Sequence, residues 1–274
     1  HLIVRTIGIK SFILLFCLLF TKKNIYLEVP TSFSTVNYEF LRNQNKSIKN
    51  YIYFFLNNLI TPILICFFKK SIYYHEEKFP FNILNKKKII IWSNGVDVKS
   101  IISKNTLTKI QNYKINFVCV GSLTNWHGID RLIIAINYFQ KENNLYKFNI
   151  NLVGDIDNNL FINNYIIKEY KENGNEITYH GLKKDEKLFK VINFSHIGVG
   201  SLGLKILNNY NRSELKIREY TAYGIPFIME ADDKEFSSDN NFLFKVNKDD
   251  YLIDINKVIN WYINLNIIET HHTC

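Results

Sequence analysis

The sequence predicts an α/β fold built on a doubly wound parallel sheet. Three observations lead there. From about residue 95 onward, strand-like apolar runs alternate with helical stripes. The strand-like runs close on glycines and polar loops, at Gly121, Gly154, Gly181 and Gly200. Apolar residues make up 47% of the chain against 22% charged, enough for a buried sheet and too apolar for a disordered chain.

In order, "INFVCVG" (115–121) reads as a buried strand, and Ile129, Leu132, Ile133, Ile136 and Phe139 follow it at helical spacing. "FNINLVGD" (148–155) is the next strand, with a polar helix after it to about Lys171. Then come the strand "EITYHG" (176–181), the helix "DEKLFKVIN" (185–193) and the strand "SHIGVG" (195–200). "RSELKIREYTAYGIPFI" (212–228) reads as a helix capped by Ser213, a glycine stop and a buried strand, "PFIM" (226–229). A strand "FLFKV" (242–246) and a helix from about Asp249 to Leu265 complete the series. Ligands in such a sheet bind beyond the carboxyl ends of the strands.

Residues 1–94 are less regular. "NIYLEVPT" (24–31) and "KKIIIWSNGVD" (87–97) read as strands running into loops, with one or two apolar helices between them, as in the back half of a second domain. "FILLFCLLF" (12–20) and "ITPILICFF" (60–68) have about half the ~20 residues of a membrane span and read as buried helices. No small-residue cleavage site follows Phe20, so a signal peptide is not indicated. The first residue is His1 rather than Met, which reads as a chain beginning inside a longer protein. The expected domains are 1–94 and 95–274.

The chain of 274 residues has a formal charge of +9, and residues 1–99 hold all of that excess. No nucleic-acid-binding motif accompanies it. A basic third with aromatic and aliphatic runs fits an anionic membrane face better, on a cytoplasmic protein peripheral to the inner side of the cell membrane. Cys17, Cys66, Cys119 and Cys274 show no zinc or disulfide spacing, which fits a reducing compartment.

The stretch at 212–228 raises the sharpest question. Arg212, Lys216 and Arg218 crowd a helix start, where the dipole disfavours cations by about 0.3–1 kcal/mol each. A bound anion would reverse that sign, because free N–H groups, the dipole and a lysine make a phosphate site. Glu219, three residues after Lys216, could accept hydrogen bonds from ribose hydroxyls. A solvated Lys216–Glu219 surface pair is the alternative. In "VGSLTNWHGIDRL" (120–132), a glycine ends a strand and a helix begins near Gly128, the first phosphate-side turn of a nucleotide-binding sheet, although the dinucleotide fingerprint is absent. His127 there is a capping or packing residue or a phosphate-side donor. Asn94-Gly95 signals a tight turn. The acidic pairs Asp155/Asp157, Asp232/Asp233 and Asp249/Asp250 read as loops and caps rather than metal ligands, and no Ser-His-Asp or Cys-His signature is present.

Taken in order, "YLEVPT", "SNGVD", "FVCVGSLTNWHGIDRLIIAI", "NLVGD", "ITYHGL" and "SELKIREYTAYGIPFI" resemble the segments of a GT-B glycosyltransferase of the large retaining group called family 4 or group 1, in its polysaccharide-assembly variant. The resemblance covers about residues 24–262. It implies two Rossmann-like domains, the N-terminal one incomplete, with the last helix a candidate to pack back on that domain. It also implies transfer of a sugar from a nucleotide-diphosphate sugar to a glycan or lipid-linked acceptor, with retention and with no cofactor or metal. By position, Glu219 matches the ribose-binding glutamate; Ser213, Leu215 and Lys216 match the diphosphate loop and helix start. Gly121, Ser122 and Gly128 match the opposite phosphate side, and Gly181-Leu182 the base pocket. Lys216 and His127 are the candidates to neutralise the leaving diphosphate. The chain departs from the pattern at Ser122 and His127, where Arg and Lys are usual. It departs again at Asn211, where a sugar-binding carboxylate is usual. The glycine-rich loop and catalytic histidine of the first domain are not in the sequence. A non-catalytic fragment or partner subunit, and a nucleotide-sugar 2-epimerase of the same fold, are the alternative functions.

Overall fold

The computed structural model describes residues 2–5, 24–29, 31, 33–42, 47–49, 51–52, 54–55, 68–74, 89–101, 107–156, 164–236 and 240–272. The chain divides into two compact units, His1–Ser93 with Asn211–Ser213, and Asn94–Tyr210 with Glu214–Cys274.

The first unit carries four parallel strands in the order β1 (Leu2–Arg5), β2 (Ile25–Val29), β3 (Lys70–Tyr73) and β4 (Ile89–Ile91). Buried Leu27 stands opposite buried Ser71 in the β2–β3 register. Helix α1 (Phe33–Arg42) stacks Phe40 on Phe54 with ring centroids 4.1 Å apart. β2 and β4 lie inside the segments expected to be strands. β1 and β3 went unread, because each is only four residues long and β3 follows directly on an apolar run. The run at 12–20 and nearly all of that at 60–68 lie outside the described residues.

The second unit is a six-stranded parallel sheet. Its strands are β5 (Lys114–Val120), β6 (Lys147–Val153), β7 (Glu176–Tyr179), β8 (Ile197–Val199), β9 (Phe227–Met229) and β10 (Leu243–Lys245). They lie in the order β10-β9-β8-β5-β6-β7. The chain steps outward from β5 to β7, then returns to β8 on the other side and steps outward again, so the topological switch lies between β5 and β8. Helix α2 (Ile129–Gln140) packs with α3 (Asn164–Glu172) and α6 (Ile255–His272), and α4 (Asp185–Asn193) with α5 (Leu215–Tyr223). This is the double winding that the strand–helix alternation predicts. The core is one continuous cluster in which Ile115, Phe117 and Cys119 of β5 meet Leu132, Ile133 and Ile136 of α2, and Val258 and Tyr262 of α6. Tyr262 also donates its hydroxyl to the Thr108 carbonyl at 2.6 Å, so α6 is held within this unit.

Two boundaries differ from the sequence reading. The α5 cap is Glu214 rather than Ser213, whose amide instead donates to the Tyr74 carbonyl in the first unit at 3.2 Å. Helix α6 begins at Ile255 rather than near Asp249. Asp254 is the better cap, since its Oδ1 accepts the Lys257 N–H at 3.0 Å. That bond holds the Asp254 carboxyl below its ordinary value.

At the switch, β5 and β8 pair at Phe117–Ile197 and Val118–Gly198. Beyond that point Tyr220 of α5 takes over the ladder. Its hydroxyl accepts the Val120 N–H and donates to the Val118 carbonyl, both at 3.1 Å. Only glycine fits at 198, because a Cβ there would lie 2.5 Å from Cδ2 of the Tyr220 ring. Tyr220→Phe should therefore strand the part-buried Val120 N–H and remove a donor from the buried Val118 carbonyl, lowering unfolding free energy by about 1–3 kcal/mol. A urea denaturation curve measures this, and an unchanged midpoint contradicts it.

Candidate functional site

The loops after β5, β6, β7 and β8 emerge side by side at the carboxyl ends of the sheet, and hydrogen bonds tie each to the next. The Gly121 amide donates to the Val153 carbonyl, and the Gly154 amide to the Gly181 carbonyl, both at 2.9 Å. The Leu202 and Gly203 amides donate to the His127 and Trp126 carbonyls, both at 3.1 Å. Gly128, at φ 66°, is what lets these last two loops meet, because a Cβ there would lie 2.6 Å from the Leu202 carbonyl carbon.

His127 is buried in the turn before α2, its ring stacked on Trp126. Its Nδ1 accepts the Thr124 backbone N–H at 3.0 Å. A nitrogen that accepts carries no proton, so a neutral imidazole has its hydrogen on Nε2. Nε2 lies 3.8 Å from where a Cβ on Gly121 would stand, so the N–H side of the ring faces the β5 loop. Ser122 is exposed in that loop, and Gly121 is partly exposed.

The cations of α5 sort into three environments. Arg212 belongs to the first unit, with Nη2 3.5 Å from the Thr35 hydroxyl. Arg218 is a structural cation. It makes two bonds to Asp233, at 2.7 and 2.9 Å, donates Nε–H to the Asn94 carbonyl at 3.0 Å and lies over the Phe236 ring. Lys216 is different. Its ammonium is buried 3.4 Å from Glu214 Oε2 and makes no hydrogen bond among the described residues. Glu214 Oε2 also accepts the Ser201 amide at 3.2 Å, which joins the α5 N-terminus to the loop after β8. The N-terminus of α5 has no side-chain cap. A helix start with open amides and a buried lysine suits an anion.

The structure thus places Gly121, His127 and Gly128 in the loop after β5, which is bonded to the loop after β8, and Lys216 at the start of α5, which Glu214 bonds to that same β8 loop; Leu215 is exposed at the first turn of α5. Gly181 and exposed Leu182 lie toward β7, joined to the others through Gly154. Ser213 falls with the first unit. The Lys216–Glu219 surface pair does not form: Lys216 is buried against Glu214, and the Glu219 carboxylate has no ion pair among the described residues. Sequence reasoning missed the Glu214–Lys216 contact and Ser201. Residues two apart do not face each other on a helix. They meet here because Glu214 has extended backbone, just outside the helix. The acidic pairs are structural where described. Asp233 holds Arg218, Asp232 holds Lys245 at 2.6 Å, and the Asp250 carbonyl takes Arg131. Asp157 lies outside the described residues. Among those residues no group of three His, Cys, Asp or Glu could hold a metal.

Two parallel sheets, the second with the nucleotide-binding strand order, mark the GT-B class of fold. No family model and no curated protein matches the sequence. Solved structures do. The chain is similar to S. aureus TarM, in a complex with UDP and alpha-GlcNAc-glycerol, at 18% identity over 97% of this chain and 49% of that one (TM-score 0.53). It is similar to trehalose-6-phosphate synthase, in work on enzymatic glycosyl transfer with retention, at 12% identity over 94% and 70% (0.53). A glycosyltransferase from Rickettsia africae is similar at 14% identity over 96% and 66% (0.54). The chain spans about half the length of TarM.

Burial raises the Glu219 carboxyl above its ordinary value of 4.5. A carboxyl raised by folding favours the folded state when protonated, and that benefit is lost as pH rises through the folded pKa. At pH 7 the buried charge is therefore a cost. Glu219→Gln should raise Tm at pH 7, and the gap should close as pH falls toward about 4.5. A lower Tm for the variant at pH 7 would mean that Glu219 is held by a stabilising partner.

Proposed function

We propose that the protein is a glycosyltransferase that moves a sugar from a nucleotide-diphosphate sugar to a glycan or lipid-linked acceptor, with retention, in surface polysaccharide assembly. The observation that carries this reading is the Lys216 ammonium, buried without a hydrogen bond at the uncapped start of α5. Its place at the switch of a GT-B fold adds weight. So do the UDP in the TarM complex and the retaining glycosyl transfer studied with trehalose-6-phosphate synthase.

On this reading the protein supplies little covalent chemistry. The bond from the anomeric carbon to the diphosphate oxygen breaks, the acceptor hydroxyl oxygen forms the new bond, its proton passes to the departing phosphate oxygen, and the nucleoside diphosphate leaves with the negative charge. Lys216, the first amides of α5 and the Nε2–H of His127 meet that charge, in the role a metal ion plays elsewhere. Once the donor is bound these groups are in place, so little reorganisation opposes the reaction itself. Glu219 accepts the ribose hydroxyls, and Gly181-Leu182 flank the base. Lys216→Ala should lower kcat/KM by about tenfold or more with the preferred donor from a panel of UDP-, GDP- and ADP-sugars. A loss under about threefold, roughly 0.6 kcal/mol, would remove the phosphate role.

The basic first third then holds the enzyme at an anionic membrane, on the cytoplasmic side where a lipid-linked acceptor lies. Ile48, Tyr51, Ile52 and Phe55 support this, since all four are exposed at i, i+3, i+4, i+7 spacing in the sequence, with Lys49 exposed beside Ile48. No helix among the described residues is long and apolar enough to cross a membrane. In liposome flotation the protein should float with vesicles containing anionic lipid and remain below with neutral ones. Equal partitioning contradicts the membrane role.

A non-catalytic piece or partner subunit is the second reading. It is favoured by Asn211 in the usual carboxylate slot.

A further inference from the structure

Among the described residues of the second unit, three ion pairs are largely buried, and one is built unlike the others. Arg218–Asp233 is bidentate, and Arg131–Glu230 closes at 3.1 Å with the Leu204 N–H also donating to Glu230 at 2.8 Å. Lys216–Glu214 is 3.4 Å apart and the ammonium is not hydrogen-bonded. Three side-chain atoms here are closed to solvent and without a hydrogen bond among the described residues: Glu214 Oε1, Lys216 Nζ and Ser201 Oγ. Their residues are only 9%, 8% and 0% exposed. Buried polar atoms are nearly always bonded, so three orphans at one place ask for an explanation. They sit where the loop after β8 meets the start of α5, beside the switch.

The orphans are an acceptor, a cation and a hydroxyl. A ligand that satisfies all three offers a hydroxyl and an anion side by side, as a glycosyl diphosphate does. Asn211, which stands where the resemblance places a sugar-reading carboxylate, cannot supply a charged acceptor. We propose that Glu214 is the sugar-reading carboxylate of this protein: its Oε1 accepts a hydroxyl of the donor's glycosyl unit, while Lys216 swings from Glu214 to the diphosphate. This deepens and rests on the donor-site reading above. The loose pair is a placeholder. It keeps the ammonium neutralised without the donor and gives way because no hydrogen bond holds it. Ser201 Oγ, on the residue whose amide fixes Glu214, completes the polar shell.

The charge arrangement gives a test with opposite signs. Glu214 is a negative charge beside the lysine that meets the diphosphate, so removing it favours a bare nucleoside diphosphate. Its loss removes a charged acceptor from the sugar. Calorimetric Kd values would be measured for wild type, Glu214→Gln, Lys216→Met and Ser201→Ala of the 274-residue chain. The probes are UDP, UDP-glucose and UDP-N-acetylglucosamine, with GDP and GDP-mannose as the second nucleotide series. Glu214→Gln should bind the sugar nucleotide about tenfold or more weakly while binding the bare diphosphate as well as or better than wild type. Lys216→Met should weaken both. Glutamine is isosteric and keeps an acceptor for the Ser201 amide, and circular dichroism checks the fold. Ser201→Ala, which removes one orphan atom, should weaken only the sugar nucleotide. If Glu214→Gln and Ser201→Ala change both ligands equally or neither, the proposal is overturned while the donor-site reading stands. If wild type binds no nucleotide or sugar nucleotide of either series, the donor-site reading falls and the proposal with it.

Discussion

The Tyr220 hydroxyl is the point on which the second unit's geometry depends. Adjacent parallel strands normally satisfy each other's amides along their whole length. β5 and β8 stop doing so where the crevice opens, and a single phenol replaces the missing partner for the Val120 N–H and the Val118 carbonyl. The side chain that seals the end of the ladder comes from α5, so closing the sheet also fixes the helix whose N-terminus forms the site. Gly198 makes this possible by leaving room for the ring. A short strand, a glycine and a tyrosine thus place Lys216 at the switch.

The charge problem at the start of α5 resolves by sorting rather than by one common cause. Arg218 is neutralised inside the fold by Asp233 and an aromatic face. Arg212 belongs to the other unit. Lys216 alone of the three sits in a dry place with no hydrogen bond to its ammonium among the described residues, and Glu214, two residues earlier, leaves Oε1 in the same state. Buried ion pairs that serve stability close tightly, because desolvation must be offset by good geometry.

Much of this was legible in the sequence. The strand–glycine–helix alternation from 114 onward reports its own period, because the central strands β5, β6, β8 and β9 are buried on both faces while α2 buries one stripe. The loops that form the crevice follow from the glycines. What was not legible depends on approach in space. The first unit's β1 and β3 are too short for a period to show. The cap at α5 fell on Glu214 because Ser213 is occupied elsewhere, which no local rule reveals. Asp233 lies 15 residues from Arg218 in a loop, and Ser201 lies 13 residues before Glu214, so neither partnership has a spacing to read.

On the proposed reading, Lys216 meets the diphosphate at the β5–β8 switch. A crystal structure of the protein with UDP should then show a phosphate oxygen within about 2.7–3.2 Å of Lys216 Nζ, beside the Gly121 loop and the first amides of α5. A nucleotide bound elsewhere, or a Lys216 that stays on Glu214 with the diphosphate out of reach, would contradict it.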